Sequence, residues 1–78
     1  MKKSLNLINS REKVVISEIT GSLQNIAYLE SLGIFSGQEI TIIRNNPRNS
    51  APTLIEVENS RYIIDYQLGK NIFVNKKN

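Results

Sequence analysis

Seventy-eight residues suffice for one compact domain with a thin core, and they leave no room for a deep catalytic cleft. A hydrophobic content of 40%, supplied mostly by Ile, Val and Leu, argues against disorder despite the many Asn and Lys residues. Ten basic and seven acidic side chains give +3, but Lys2, Lys3, Lys76 and Lys77 lie at the two ends; the remaining six against seven leave a body near minus one, weak support for a nucleic-acid binder.

The absence of Cys removes disulfides, a zinc ribbon and a thiolate nucleophile from consideration. The basic start has the charge of a signal-peptide n-region, yet Asn6, Asn9, Ser10 and Arg11 break up the next few positions before an apolar h-region forms. No apolar run approaches the roughly 20 residues that span a bilayer. The expectation is a cytoplasmic single domain over residues 1–78, with a core from about 5 to 75 and short, solvated basic tails.

In chain order, Lys13–Ile19 is a β-branched run that places Val14 and Ile16 on one face and predicts a strand. From Leu23 to Leu32 the period changes: Ile26, Leu29 and Leu32 recur at three-residue spacing with Tyr28 beside them, the stripe of a helix of about three turns. Ser22 is its N-cap. Gly33 falls at the left-handed closing position, and Ile34 is set to pack back on Leu29 in a Schellman arrangement. Leu29, Leu32, Gly33 and the turn residue Gly37 therefore form a structural motif.

Gln38–Arg44 and Thr53–Glu58 alternate as two antiparallel strands joined by an irregular loop from Asn45 to Pro52. Asn59-Ser60 is spaced as a hairpin turn before a strand Arg61–Ile64. Asp65 can cap a single helical turn through Leu68, Gly69 breaks it, and alternation returns over Asn71–Asn75. The pattern predicts a mainly β fold: a five-stranded antiparallel barrel with a helix between its first and second strands, plugging one end, and a helical turn before the last strand. Val14, Ile16, Ile40, Ile42, Ile55, Val57, Ile64, Ile72 and Val74 form its core.

Little in this chain can do chemistry. A metal site would have to use carboxylates, Glu30, Glu56, Glu58 and Asp65 among them, and Glu56 with Glu58, two apart on one strand face, suit a solvated surface better than a closed site. No Ser or Thr has a His partner, and Gly21, Gly33, Gly37 and Gly69 are too dispersed to cradle a phosphate, so neither an enzyme nor a cofactor is expected. Phe35 and Phe73 fall on the polar phase of their neighbourhoods and, with the adjacent Ile34, are the candidate partner contacts. Tyr62 and Tyr66 with Phe35 lack the Trp and acidic loop of a proline-peptide groove, and Tyr62 reads as a sheet-packing residue. Arg44, Arg48 and Arg61 near one hairpin end are the phosphate contacts an RNA-binding barrel would use.

The segment Leu29-Glu30-Ser31-Leu32-Gly33-Ile34-Phe35-Ser36-Gly37 resembles the hallmark of the FeoA family, ferrous iron transport protein A, in which a helix ends in Leu-x-x-Leu-Gly-Ile before a Gly. Lys13–Ile19 and Gln38–Arg44 are similar to the strands on either side. Gly69-Lys70-Asn71-Ile72-Phe73-Val74 resembles the C-terminal signature, with Gly69 where Ala is usual, Asn71 for a charged residue, and Tyr28 where an Arg often precedes the Leu. The resemblance implies an SH3-like barrel that binds the cytoplasmic, GTPase-containing part of FeoB, the membrane transporter of ferrous iron. It would be an accessory that does not carry the ion. The SH3-like domain of metal-dependent transcriptional repressors resembles the same family and supplies an alternative role.

Overall fold

Val14 and Ile16 are fully buried in β2 (Lys13–Ile19), the strand around which the rest is arranged. The computed structural model describes residues 3–77; Met1, Lys2 and Asn78 lie outside the described residues. A two-residue strand β1 (Lys3–Ser4) and a 3₁₀ turn (Leu5–Leu7) precede β2. After it come α1 (Leu23–Ser31), β3 (Glu39–Arg44), β4 (Thr53–Val57), β5 (Ser60–Ile64), α2 (Tyr66–Gly69) and β6 (Ile72–Lys76).

The strands form one antiparallel sheet in the order β1-β6-β2-β3-β4-β5. Six strands at about 4.8 Å spacing would make a flat sheet far wider than it is thick. The molecule instead measures 27 × 26 × 26 Å, so the sheet is strongly curled. It is nevertheless an open ladder that ends at β1 and β5, where the sequence suggests a five-stranded barrel.

The additional strand comes from a segment without hydrophobic periodicity. Ser4 accepts from the Asn6 N–H and caps the 3₁₀ turn, and Leu5 and Ile8, three apart, enter the core. Lys3 pairs with Val74, Lys76 pairs with Val14, and the Lys77 ammonium lies 2.7 Å from a Glu39 carboxylate oxygen. Lys3, Lys76 and Lys77 are thus tied to the sheet while remaining exposed, and Lys2 lies outside the described residues.

All nine core residues expected from the strand alternation are buried, joined by Leu5, Ile8, Leu29 and Ile34. Ser22 accepts a hydrogen bond from the Asn25 N–H at 3.1 Å and starts α1. At the other end Ile34 N–H donates to the Leu29 carbonyl and Gly33 N–H to that of Glu30, with Gly33 at φ 88°, the double bond pattern of a Schellman cap. Leu29 is the one fully buried residue of α1; Ile26 and Leu32 are half-buried, and Tyr28 is exposed. The stripe is therefore narrower than the period suggests.

The β4–β5 turn sits one residue earlier than expected. Val57 pairs with Ser60, which leaves Glu58-Asn59 as the turn, and Glu58 takes the left-handed conformation at φ 55°. Asp65 Oδ1 accepts from Leu68 N–H at 2.8 Å and caps α2.

Candidate functional site

The sequence places Phe35 and Phe73 thirty-eight positions apart, and the fold brings Phe73 and Ser36, the neighbour of Phe35, to the two sides of Ser17. Ser17 lies where the β2–β6 register shifts between Ile16 and Glu18, a bulge that turns one residue out of the ladder. Its hydroxyl donates to the Phe73 carbonyl at 3.1 Å, and its own carbonyl accepts from the Ser36 hydroxyl at 2.9 Å. Gly37 N–H donates to the Ile16 carbonyl and Gln38 N–H to that of Phe35, so the turn carrying Phe35 is pinned against the β3 side of β2 while Phe73 occupies the β6 side.

Phe35 is 41% exposed on that turn, and Phe73 is half-buried between the inward-facing Ile72 and Val74. Ile34 is fully buried. Its side chain therefore belongs to the core and offers no surface to a partner, a correction to its place among the contact candidates. The Schellman cap directs Ile34 back to Leu29 and leaves the next residue along the turn, Phe35, exposed.

The four candidate carboxylates do not come together as one group. Asp65 caps α2, Glu30 is exposed on α1, and Glu58 lies in the β4–β5 turn, where its carboxylate accepts from the Gln38 amide at 3.4 Å. Glu56 and Glu58 share a shallow groove with Glu39, but Lys13 lines it too, and Lys77 pairs with Glu39. Lys77 is also the main reason the Glu39 carboxyl lies below its ordinary range, with Lys13 adding to it. Among the described residues no group of three or more His, Cys, Asp or Glu could hold a metal ion.

Tyr62 packs against the core, as its strand position implies. Tyr66 lies under the Lys70 ammonium, 5.8 Å from its ring centroid, and its carbonyl accepts from the Asn6 amide, so the tyrosines are engaged within the fold. Arg44 and Arg61 line one groove, whereas Arg48 stands in the exposed loop after β3. No described helix is long and apolar enough to cross a membrane.

Sequence reading missed Asn45. Its amide donates to the Asn6 and Ile8 carbonyls at 3.0 and 2.7 Å, and its Oδ1 accepts from the fully buried Thr53 hydroxyl at 2.8 Å. An Asn in an apparently irregular loop gave no signal beyond its amide's capacity for several hydrogen bonds.

A curled antiparallel sheet with two short capped helices and an exposed aromatic turn defines a small SH3-like domain. The chain belongs to the FeoA family: the FeoA domain model matches residues 3–76. Among solved structures it is similar to an iron uptake regulatory protein, FeoA, at TM-score 0.88 and 25% identity, covering 99% of this chain and 100% of that one. A FeoA-like protein from Clostridium acetobutylicum gives TM-score 0.79 and 21% identity over 96% of this chain and 86% of that one. A manganese-dependent transcriptional repressor shares the fold at TM-score 0.86 and 12% identity, over 97% of this chain and 42% of the repressor. No curated protein matches it by sequence.

Proposed function

We propose that this single-domain protein is a cytoplasmic, non-enzymatic accessory of ferrous iron uptake that binds the cytoplasmic, GTPase-containing part of a FeoB-type transporter. Membership of the FeoA family over residues 3–76 carries the reading, since proteins of this family are associated with iron transport systems. The site chemistry agrees with it. A partially exposed Phe35 on a turn fixed by three hydrogen bonds is a pre-ordered contact, which loses little entropy on binding. Phe73, on the other side of Ser17, is the second contact. Fe(II) is the transporter's cargo in this scheme, and GTP hydrolysis belongs to the partner.

Isothermal titration of the protein into the soluble GTPase portion of the cognate transporter tests this reading. Saturable binding is expected; two folded proteins that show no heat of association and no co-elution would count decisively against it.

The fold shared with the manganese-dependent repressor supports a second reading, a free-standing counterpart of a repressor's SH3-like domain. It predicts capture of a repressor-type protein from host lysate, with the transporter portion left behind.

A further inference from the structure

The two edges of the sheet are unequal. β1 ends it with two residues, too short a template for another strand, whereas β5 ends it with five, and Asp65 continues the extended backbone at φ −69°, ψ 164°. Edges of that length are ordinarily blunted by Pro, Lys or a bulge. β5 has none of these: its register with β4 is unbroken, it holds no Pro or Lys, and its one charge is Arg61. Ile63 stands in it 72% exposed, the most exposed large apolar side chain on any described strand. Among the described residues no loop or helix makes a main-chain bond to Ser60–Ile64 from the outside.

The hairpin fixes which main-chain groups face outward. With Glu58-Asn59 as a two-residue turn, Val57 and Ser60 form the hydrogen-bonded closing pair, and such pairs recur at Ile55 with Tyr62 and Thr53 with Ile64. Arg61 and Ile63 therefore point their N–H and C=O groups away from β4, and the Asp65 N–H follows in the same phase. A strand that pairs here must set its own outward-bonding residues opposite these. A second β5, running antiparallel, does so in the register that places Ile63 on Ile63 and Arg61 on Asp65. The neighbouring registers set Ile63 against Arg61 or Asp65, an apolar side chain against a charge.

We propose that β5 is a self-association edge: two copies of this chain pair their β5 strands antiparallel about a two-fold axis at Ile63. Leu54 is the cross-strand neighbour of Ile63, so the outer face gains a continuous apolar row of Leu54 and Ile63 from each copy. On either side of that row Arg61 lies between Glu56 of its own chain and Asp65 of the second copy. Arg61 makes no salt bridge to Glu56 among the described residues. Asp65 Oδ1 accepts from the Leu68 N–H, which leaves Oδ2 for Arg61 of the second copy. A contact of one strand edge falls below the roughly 1,200–2,000 Å² of stable interfaces, so the pair is weak and reversible. It leaves Phe35 and Phe73 uncovered and stands whether or not the transporter reading holds.

NMR spectra of the labelled protein, recorded from micromolar to millimolar concentration, test the pairing. Shifts should grow with concentration at the amides of Arg61, Ile63 and Asp65 while translational diffusion slows. Mixed labelled and unlabelled copies should show contacts between Ile63 methyl groups across the pair. Ile63→Lys, at an exposed side chain, should keep the fold and abolish the concentration dependence by setting like charges face to face. Arg61→Asp should weaken the pair about tenfold or more, because it sets carboxylates together on both sides of the axis. Adding Asp65→Asn, which preserves the cap of α2, should recover part of that loss. Spectra that do not change up to millimolar protein, changes centred on β1 or on Phe35, or a pair that Arg61→Asp leaves as strong would overturn the proposal.

Discussion

Asn6 and Gly69 are packed so closely that a methyl group on Gly69 would lie 2.3 Å from Asn6 Oδ1. The Asn6 amide donates to the Tyr66 carbonyl at 2.9 Å, and the Ser4 hydroxyl donates to the Gly69 carbonyl at 3.1 Å, so the N-terminal turn is clamped onto α2. The FeoA-like C-terminal signature usually has Ala where Gly69 stands. The side chain of Asn6 fills the space such an Ala would need.

Gly69→Ala should therefore destabilise the protein by about 1–3 kcal/mol, the usual cost of overpacking. Urea unfolding of Asn6→Ala, Gly69→Ala and the double variant checks this. The double variant should lose less stability than the two single losses combined; strict additivity would mean that the contact is not the cause.

Much of the fold could be read from the strands because β-branched alternation reports burial directly, and the nine alternating core positions are the clearest case. The Schellman cap was equally legible, since Gly33 and Ile34 follow Leu29 at the required offsets. The N-terminal strand was not. Its backbone bonds go to β6, about seventy residues away, and Leu5 and Ile8 are two apolar residues in a polar stretch. The site was only half legible: residue phase singled out Phe35 and Phe73, but the bonds that Ser17 makes to the Phe73 carbonyl and to Ser36, next to Phe35, depend on a bulge that no local pattern announces.

Gly33→Ala should cost about 1–2 kcal/mol, because its φ of 88° places a side chain in left-handed backbone. Gly33→Asn should cost less. Thermal melts of the two variants give the comparison, and equal losses would point instead to crowding against Val57, whose Cγ1 lies 3.4 Å from where a Cβ would stand.

Asn45→Ala should cost about 1–3 kcal/mol, because it removes the acceptor of a buried hydroxyl and the donor to two carbonyls at once. The loss should be local as well as global. Hydrogen exchange should speed up in residues 5–8 more than in β2; uniform acceleration would show that Asn45 does not anchor the N-terminal segment in particular.

Glu39 should titrate below the ordinary carboxylate range, chiefly through its hydrogen bond from Lys77. A folded-state pKa below the unfolded one adds stability that is present above the unfolded value and lost as pH falls through the folded one. Carboxyl NMR titration should show the Glu39 pKa rising toward normal in Lys77→Met and in high salt. An unchanged value in Lys77→Met would assign the shift elsewhere.

The most direct measurement is an NMR titration of labelled protein with the transporter's soluble GTPase portion, repeated with Phe35→Ser and Phe73→Ser. The expected result is saturable shifts centred on Phe35, Ser17 and Phe73, with binding weakened about tenfold or more in each variant while the core resonances stay in place. Binding that both variants leave unchanged, or a spectrum unmoved by the partner, would contradict the proposed role.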